Sequence, residues 1–65
     1  MQVVLNGEIH TVEDEVTVAE LVTRLELTGK YAVELNETIV PRGEYQNAVL
    51  HAGDRIEVVQ AIGGG

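Results

Sequence analysis

QVVLNGEIHTVEDEVTVAELVTRL, running from Gln2 to Leu25, is the stretch that decides the fold. Val3, Val4 and Leu5 lead into Asn6-Gly7, the strongest short hairpin signal, because both residues tolerate positive φ. The return arm, Glu8-Ile9-His10-Thr11-Val12, alternates polar and apolar side chains as a half-buried strand does, with His10 on the polar side. Residues 2–12 therefore predict a β-hairpin. The run Glu13-Asp14-Glu15 precedes a marked helix start, and its charge suits the positive end of a helix dipole. Thr17 can cap, Glu20 completes a capping box three residues on, and Val16 and Leu21 are placed for a hydrophobic staple. Val18, Leu21, Val22 and Leu25 follow helical spacing and form one apolar face. Gly29 is the expected stop, which predicts ten or so helical residues, about 15 Å long.

Downstream, Tyr31-Ala32-Val33-Glu34-Leu35-Asn36 alternates again, with Val33 and Leu35 on one side. Asn36-Glu37 predicts a turn and Thr38-Ile39-Val40 a short extended piece. Pro41 has no N–H to donate, so this piece should lie at an edge or end there. Residues 42–47 predict an irregular or single helical turn in which Arg42 and Tyr45 are structural. Ala52-Gly53-Asp54 is a further turn, and Arg55 to Gln60 a last strand with Ile56 and Val58 facing the core. A hairpin, a helix and further strands make an α+β protein with one sheet face covered. The order is that of the ubiquitin-like β-grasp: a mixed sheet of four to five strands packed on one principal helix. The expected organisation is one domain over residues 1–60 and a flexible glycine-rich tail over 61–65.

A 65-residue chain is one domain, with an expected stability of about 3–10 kcal/mol. It has no cysteine, hence no disulfide or thiolate metal site. No apolar stretch suits a signal peptide or a membrane span, so the expected location is the cytoplasm. Eleven acidic against four basic residues give a formal charge of -7. That surface repels nucleic acid and anionic lipid and suits a basic protein partner.

An ordinary active site is not encoded. His10 and His51 are the only histidines, and neither shows metal-ligand spacing. Serine is absent, the threonines lack an evident base, and no glycine-rich loop joins a strand to a helix. The chain is expected to be no enzyme itself. Chemistry points instead to the end of the sequence, Ala61-Ile62-Gly63-Gly64-Gly65. Extended, these residues form an arm of roughly 15 Å. Without side chains at its tip, such an arm can enter a narrow cleft and offer the Gly65 carboxylate to another protein's active site. A partner using ATP could activate that carboxylate as an acyl-adenylate, and sulfur transfer would then give a thiocarboxylate.

These residues resemble the thiamine-biosynthesis sulfur carriers (ThiS) over essentially the whole length. The resemblance rests on Asn6-Gly7, Thr17-Val18-Ala19-Glu20-Leu21, Val33-Glu34-Leu35-Asn36, Ile39-Val40-Pro41-Arg42, Gly53-Asp54 and Gly64-Gly65. The Ile-Val-Pro-Arg segment together with the diglycine is its most specific part. The resemblance implies that Gly65 is adenylated by a ThiF-type adenylyltransferase. A cysteine-desulfurase relay would supply the sulfur, and a ThiG-type thiazole synthase would accept it into the thiazole ring. ATP belongs to the activating partner, so the chain itself would need no cofactor and no metal. Gly63 and Gly64 would give partners access to the tip. Val59, on the opposite side of its strand from Ile56 and Val58, and Ile62 are candidate partner contacts. A monomer is expected when free. Two alternatives share the activated glycine: the sulfur carrier of molybdopterin synthesis (MoaD-like) and a ubiquitin-like protein modifier. A passive interaction domain is a third, and would tolerate loss of the glycines.

Overall fold

Asn6 and Gly7 take φ values of 48° and 83°, the mirror-image turn whose twist matches two paired strands. The computed structural model, which describes residues 1–60, joins β1 (Gln2–Leu5) to β2 (Glu8–Thr11) through that turn. The helix α1 (Val18–Leu25) follows, then β3 (Tyr31–Leu35), β4 (Thr38–Val40), a 3-10 turn at Arg42–Glu44, and β5 (Arg55–Gln60). The strands form one five-stranded sheet in the order β2-β1-β5-β3-β4. β5 is central, parallel to β1 and antiparallel to β3. β3 and β4 form a second hairpin over Asn36 and Glu37, both with positive φ.

The helix begins as its sequence predicts. The Thr17 side chain accepts from the Glu20 N–H, and the Glu20 carboxylate accepts from the Thr17 N–H. Val18 and Ala19 donate to the carbonyls of Ala48 and Tyr45 at 2.9 and 3.0 Å, and Leu21 donates to Thr17. All four first-turn donors are thereby satisfied. Val18, Leu21 and Val22 face Val3, Leu5, Val33 and Ile56 in the core, which Val16, Leu50 and Tyr45 complete. Tyr45 stacks on Tyr31 at 6.3 Å between ring centroids, and the Arg42 guanidinium lies 5.1 Å over the Tyr31 ring. The segment after β4 is thus pinned to the sheet by aromatic and cation–π contacts, the structural role expected of Arg42 and Tyr45.

Three details differ from expectation. The helix ends at Leu25 after 8 residues, with Glu26 in the left-handed region (φ 53°, ψ 43°). Leu25 and Leu27 both pack against the core, and a continuous helix would turn them about 200° apart. The break lets both reach it, and Gly29 (φ 75°) serves the turn into β3 instead. Second, β2 is exposed throughout, not half-buried. Its register pairs Ile9 with Val4 and His10 with Val3. His10 therefore lies on the same face as buried Val3, and Ile9 on the opposite one. At the sheet margin no element covers either side chain, and Ile9 is 69% exposed. Third, Glu13 of the acidic run forms an ion pair with Arg24 in the last helical turn, a contact the sequence did not suggest.

Candidate functional site

Directly paired residues share a sheet face, so the registers show what the side away from α1 carries. Val59 lies opposite Ala32, Glu57 opposite Glu34, and Glu34 opposite Ile39. Val59 is 57% exposed and Ile39 65%. Val59 is therefore on the open face, as its strand position suggested. Lys30, Tyr31, Ala32, Val59 and Gln60 line a shallow, mainly apolar hollow at the end of β5. Ile62, Gly63, Gly64 and Gly65 lie outside the described residues, which end at Gln60, one residue after Val59.

Beside this apolar end the same face is acidic. Glu34 and Glu57 stand opposite each other, and Glu37 and Arg55 complete the group, paired at 3.3 Å. Like charges in direct cross-strand register are destabilising. Among the described residues no cation lies within ion-pair distance of Glu34 or Glu57. The arrangement complements a partner that brings both an apolar surface and positive charge.

Other chemistry finds no support among the described residues. His10 and His51 face only Glu8 and Asp54, at 4.0 and 3.9 Å. No group of three metal-ligating side chains occurs. The helix start has no spare N–H for a phosphate, since all four donors are taken. Among the described residues no helix is long and apolar enough to cross a membrane. Ile39 was missed by sequence reading. The signal was its position between Thr38 and Val40 in a strand ended by Pro41: if Val40 turns inward, Ile39 must turn outward.

Known proteins match this geometry. The solved structure of the thiamine biosynthesis protein ThiS from Geobacter metallireducens superposes with a TM-score of 0.85. It is 29% identical, with all of both chains covered. A solution structure of a thiamine biosynthesis protein from the same organism gives 0.81 at 29% identity, covering all of this chain and 88% of that one. Thiazole synthases of Magnetococcus marinus and Paramagnetospirillum magneticum are 46% and 39% identical over 66 residues. The match takes in the whole of this chain but only 20% of either relative, so the chain spans about a fifth of their length. The ThiS family model matches residues 3–65. With a five-stranded sheet on one helix, and a family match running from β1 to the glycines, this chain belongs to the ThiS family.

Proposed function

We propose that the chain is a sulfur carrier for thiazole formation in thiamine biosynthesis, with the Gly65 carboxylate as its working group. The observation that carries the reading is the family match over residues 3–65, which includes the terminal Gly64-Gly65. A carboxylate is a poor electrophile because its oxygen is a poor leaving group. Attack of that oxygen on the α-phosphate of ATP, in a ThiF-type adenylyltransferase, releases pyrophosphate and leaves an acyl-adenylate. The terminal sulfur of a persulfide from a cysteine-desulfurase relay then attacks the carbonyl carbon and AMP leaves. This gives an acyl disulfide whose S–S bond a thiol reductant cleaves, the thiol being oxidised to a disulfide. The resulting thiocarboxylate is a soft nucleophile suited to a ThiG-type thiazole synthase. That two relatives named thiazole synthase contain a segment like this chain supports a partner of that kind. The chain acts as a co-substrate, and ATP belongs to its activating partner.

The open face supports docking. Val59, Ala32 and Ile39 offer apolar surface, and Glu34 and Glu57 offer negative charge. Gly63 and Gly64 give the tip its narrow profile, and Ile62 adds an apolar contact ahead of it.

The decisive experiment is an intact mass spectrum after incubation with ATP, the adenylyltransferase and sulfide. The expected gain equals replacement of one oxygen by sulfur, localised to the Gly65 peptide and absent when residues are appended after Gly65. No gain with a demonstrably active partner would overturn the carrier reading. Transfer of the sulfur to a thiazole synthase and not to a molybdopterin precursor then separates the ThiS role from the MoaD-like one.

A further inference from the structure

β5 outruns β1. The β1–β5 pairing ends at Leu5 opposite Ile56, yet β5 continues to Gln60. The last main-chain rung on this side is the Asn6 N–H donating to the Ile56 carbonyl at 2.9 Å. Had β1 continued, the next donor, the Val58 N–H, would meet the Asn6 main-chain carbonyl. Asn6 instead turns into the hairpin at φ 48°, which takes that carbonyl out of the ladder. Its side chain replaces it: Asn6 Oδ1 accepts from the Val58 N–H at 2.8 Å, across 52 residues of sequence. On the other side of β5 the second hairpin does the same at the opposite end. Asn36 N–H donates to the Arg55 carbonyl at 2.7 Å, and Asn36 Oδ1 accepts from the Arg55 N–H at 2.9 Å. Both asparagines are the first residue of a two-residue turn, both have positive φ, and both extend a ladder beyond the end of its strand.

The two clamps differ in what lies next to them. Asn36 holds the start of β5, beside the Gly53–Asp54 turn, and its Nδ2 also donates to Asp54 at 3.1 Å. Asn6 holds the end of β5, one residue before exposed Val59 and two before Gln60, from which residues 61–65 continue. The Val58 N–H points to the β1 side because Asn36–Arg55 exchange hydrogen bonds across β3–β5, and antiparallel pairs alternate. Val33 and Val58 are therefore a non-bonded pair on the β3 side, and Asn6 supplies the Val58 N–H with its acceptor.

We infer that Asn6 is a positioning residue for the carrier chemistry: its side-chain amide holds the last turn-out of β5 in line, and with it Val59 and the strand end from which Gly65 is presented. The inference rests on the carrier reading for its effect on transfer, and on hydrogen-bond geometry alone for its effect on β5. Glycine tolerates positive φ without a side chain, so Asn6→Gly and Asn36→Gly keep the two turns and remove only the clamps. Asn6→Asp keeps an acceptor oxygen.

The test combines amide hydrogen exchange of the free protein with steady-state adenylation by the ATP-using partner. Asn6→Gly is expected to speed exchange at Val58 by roughly five- to tenfold relative to Ile56, the equilibrium equivalent of one net hydrogen bond. It should raise KM for the carrier by a similar factor with little change in kcat, because the partner must then order the strand end on binding. Asn36→Gly should speed exchange at Arg55 and leave KM at its original value, and Asn6→Asp should restore both readouts. Equal KM effects from the two glycine variants, or unchanged exchange at Val58 in Asn6→Gly, would overturn the inference. Failure of the unmodified protein to be adenylated would instead sink the carrier reading and the transfer half of the inference, with the Val58 exchange still deciding the clamp.

Discussion

Glu26 holds a left-handed backbone (φ 53°) at the helix end without a glycine's freedom. An L-residue pays roughly 1–2 kcal/mol for that conformation, and glycine gives part of it back through the entropy of its unfolded state. Glu26→Gly is therefore expected to raise unfolding free energy by about 0.5–1 kcal/mol, measured by urea denaturation. A second residue-scale effect is electrostatic. The side-chain hydrogen bond from Arg24, with its positive charge, holds the Glu13 carboxyl below its ordinary pKa. A depressed carboxylate contributes stability above its unfolded-state pKa and loses it as pH falls through the folded-state value. Arg24→Gln should therefore flatten the acid limb of the stability–pH curve, below the ordinary glutamate range. The pair is solvent-exposed, so added salt should mute the difference. An acid limb identical to that of the unmodified protein at low salt would remove Arg24 as the cause.

At the scale of elements, position in the sheet decides what an exposed apolar residue means. Ile9 and Val59 both lie on the open face, 69% and 57% exposed. Ile9 sits on the edge strand β2; Val59 sits on central β5, in register with Ala32 and next to the strand's end. Ile9→Thr is expected to change stability by no more than about 0.5 kcal/mol and to leave adenylation unaltered. Val59→Asp should also leave the fold intact, yet raise KM with the activating partner, by placing a desolvated charge in the docking surface and adding to Glu57 and Glu34. Circular dichroism checks the fold in both variants, and a normal KM for Val59→Asp would exclude the open face from docking. The Ile9 expectation in the sequence failed for a traceable reason. Val3-Val4-Leu5 is apolar at three successive positions, so alternation alone does not say which set faces the helix. The structure buries Val3 and Leu5, and the two-residue turn then forces Ile9, paired with Val4, to the other side.

For the whole molecule the margin is small: about 3–10 kcal/mol is expected of 65 residues. Leu50 is 1% exposed, in a segment without regular structure, and ties to Val16 by a 2.8 Å backbone bond. Leu50→Ala should cost about 2–5 kcal/mol, enough to bring the thermal midpoint toward ambient temperature; a loss below 1 kcal/mol, read by calorimetry, would show that the segment adds little to the core. Most features set by neighbours along the chain could be read directly from the residues, the helix stop at Glu26 excepted. The Asn6-Gly7 and Asn36-Glu37 turns, the Thr17–Glu20 capping box, the helical face of Val18, Leu21 and Val22, and the stop at Pro41 were all legible, because each follows from backbone preference or short-range periodicity. The outward placement of Val59 was legible too, since Ile56 and Val58 left it no other side of the strand. The strand order, the choice of Val3 and Leu5 over Val4, the gathering of Ile39, Glu34 and Glu57 on one face, and the Asn6–Val58 bond across 52 residues emerge only in the folded chain. Those are contacts between segments remote in sequence, selected by which packing satisfies all the strands at once, and a local pattern carries no record of that choice.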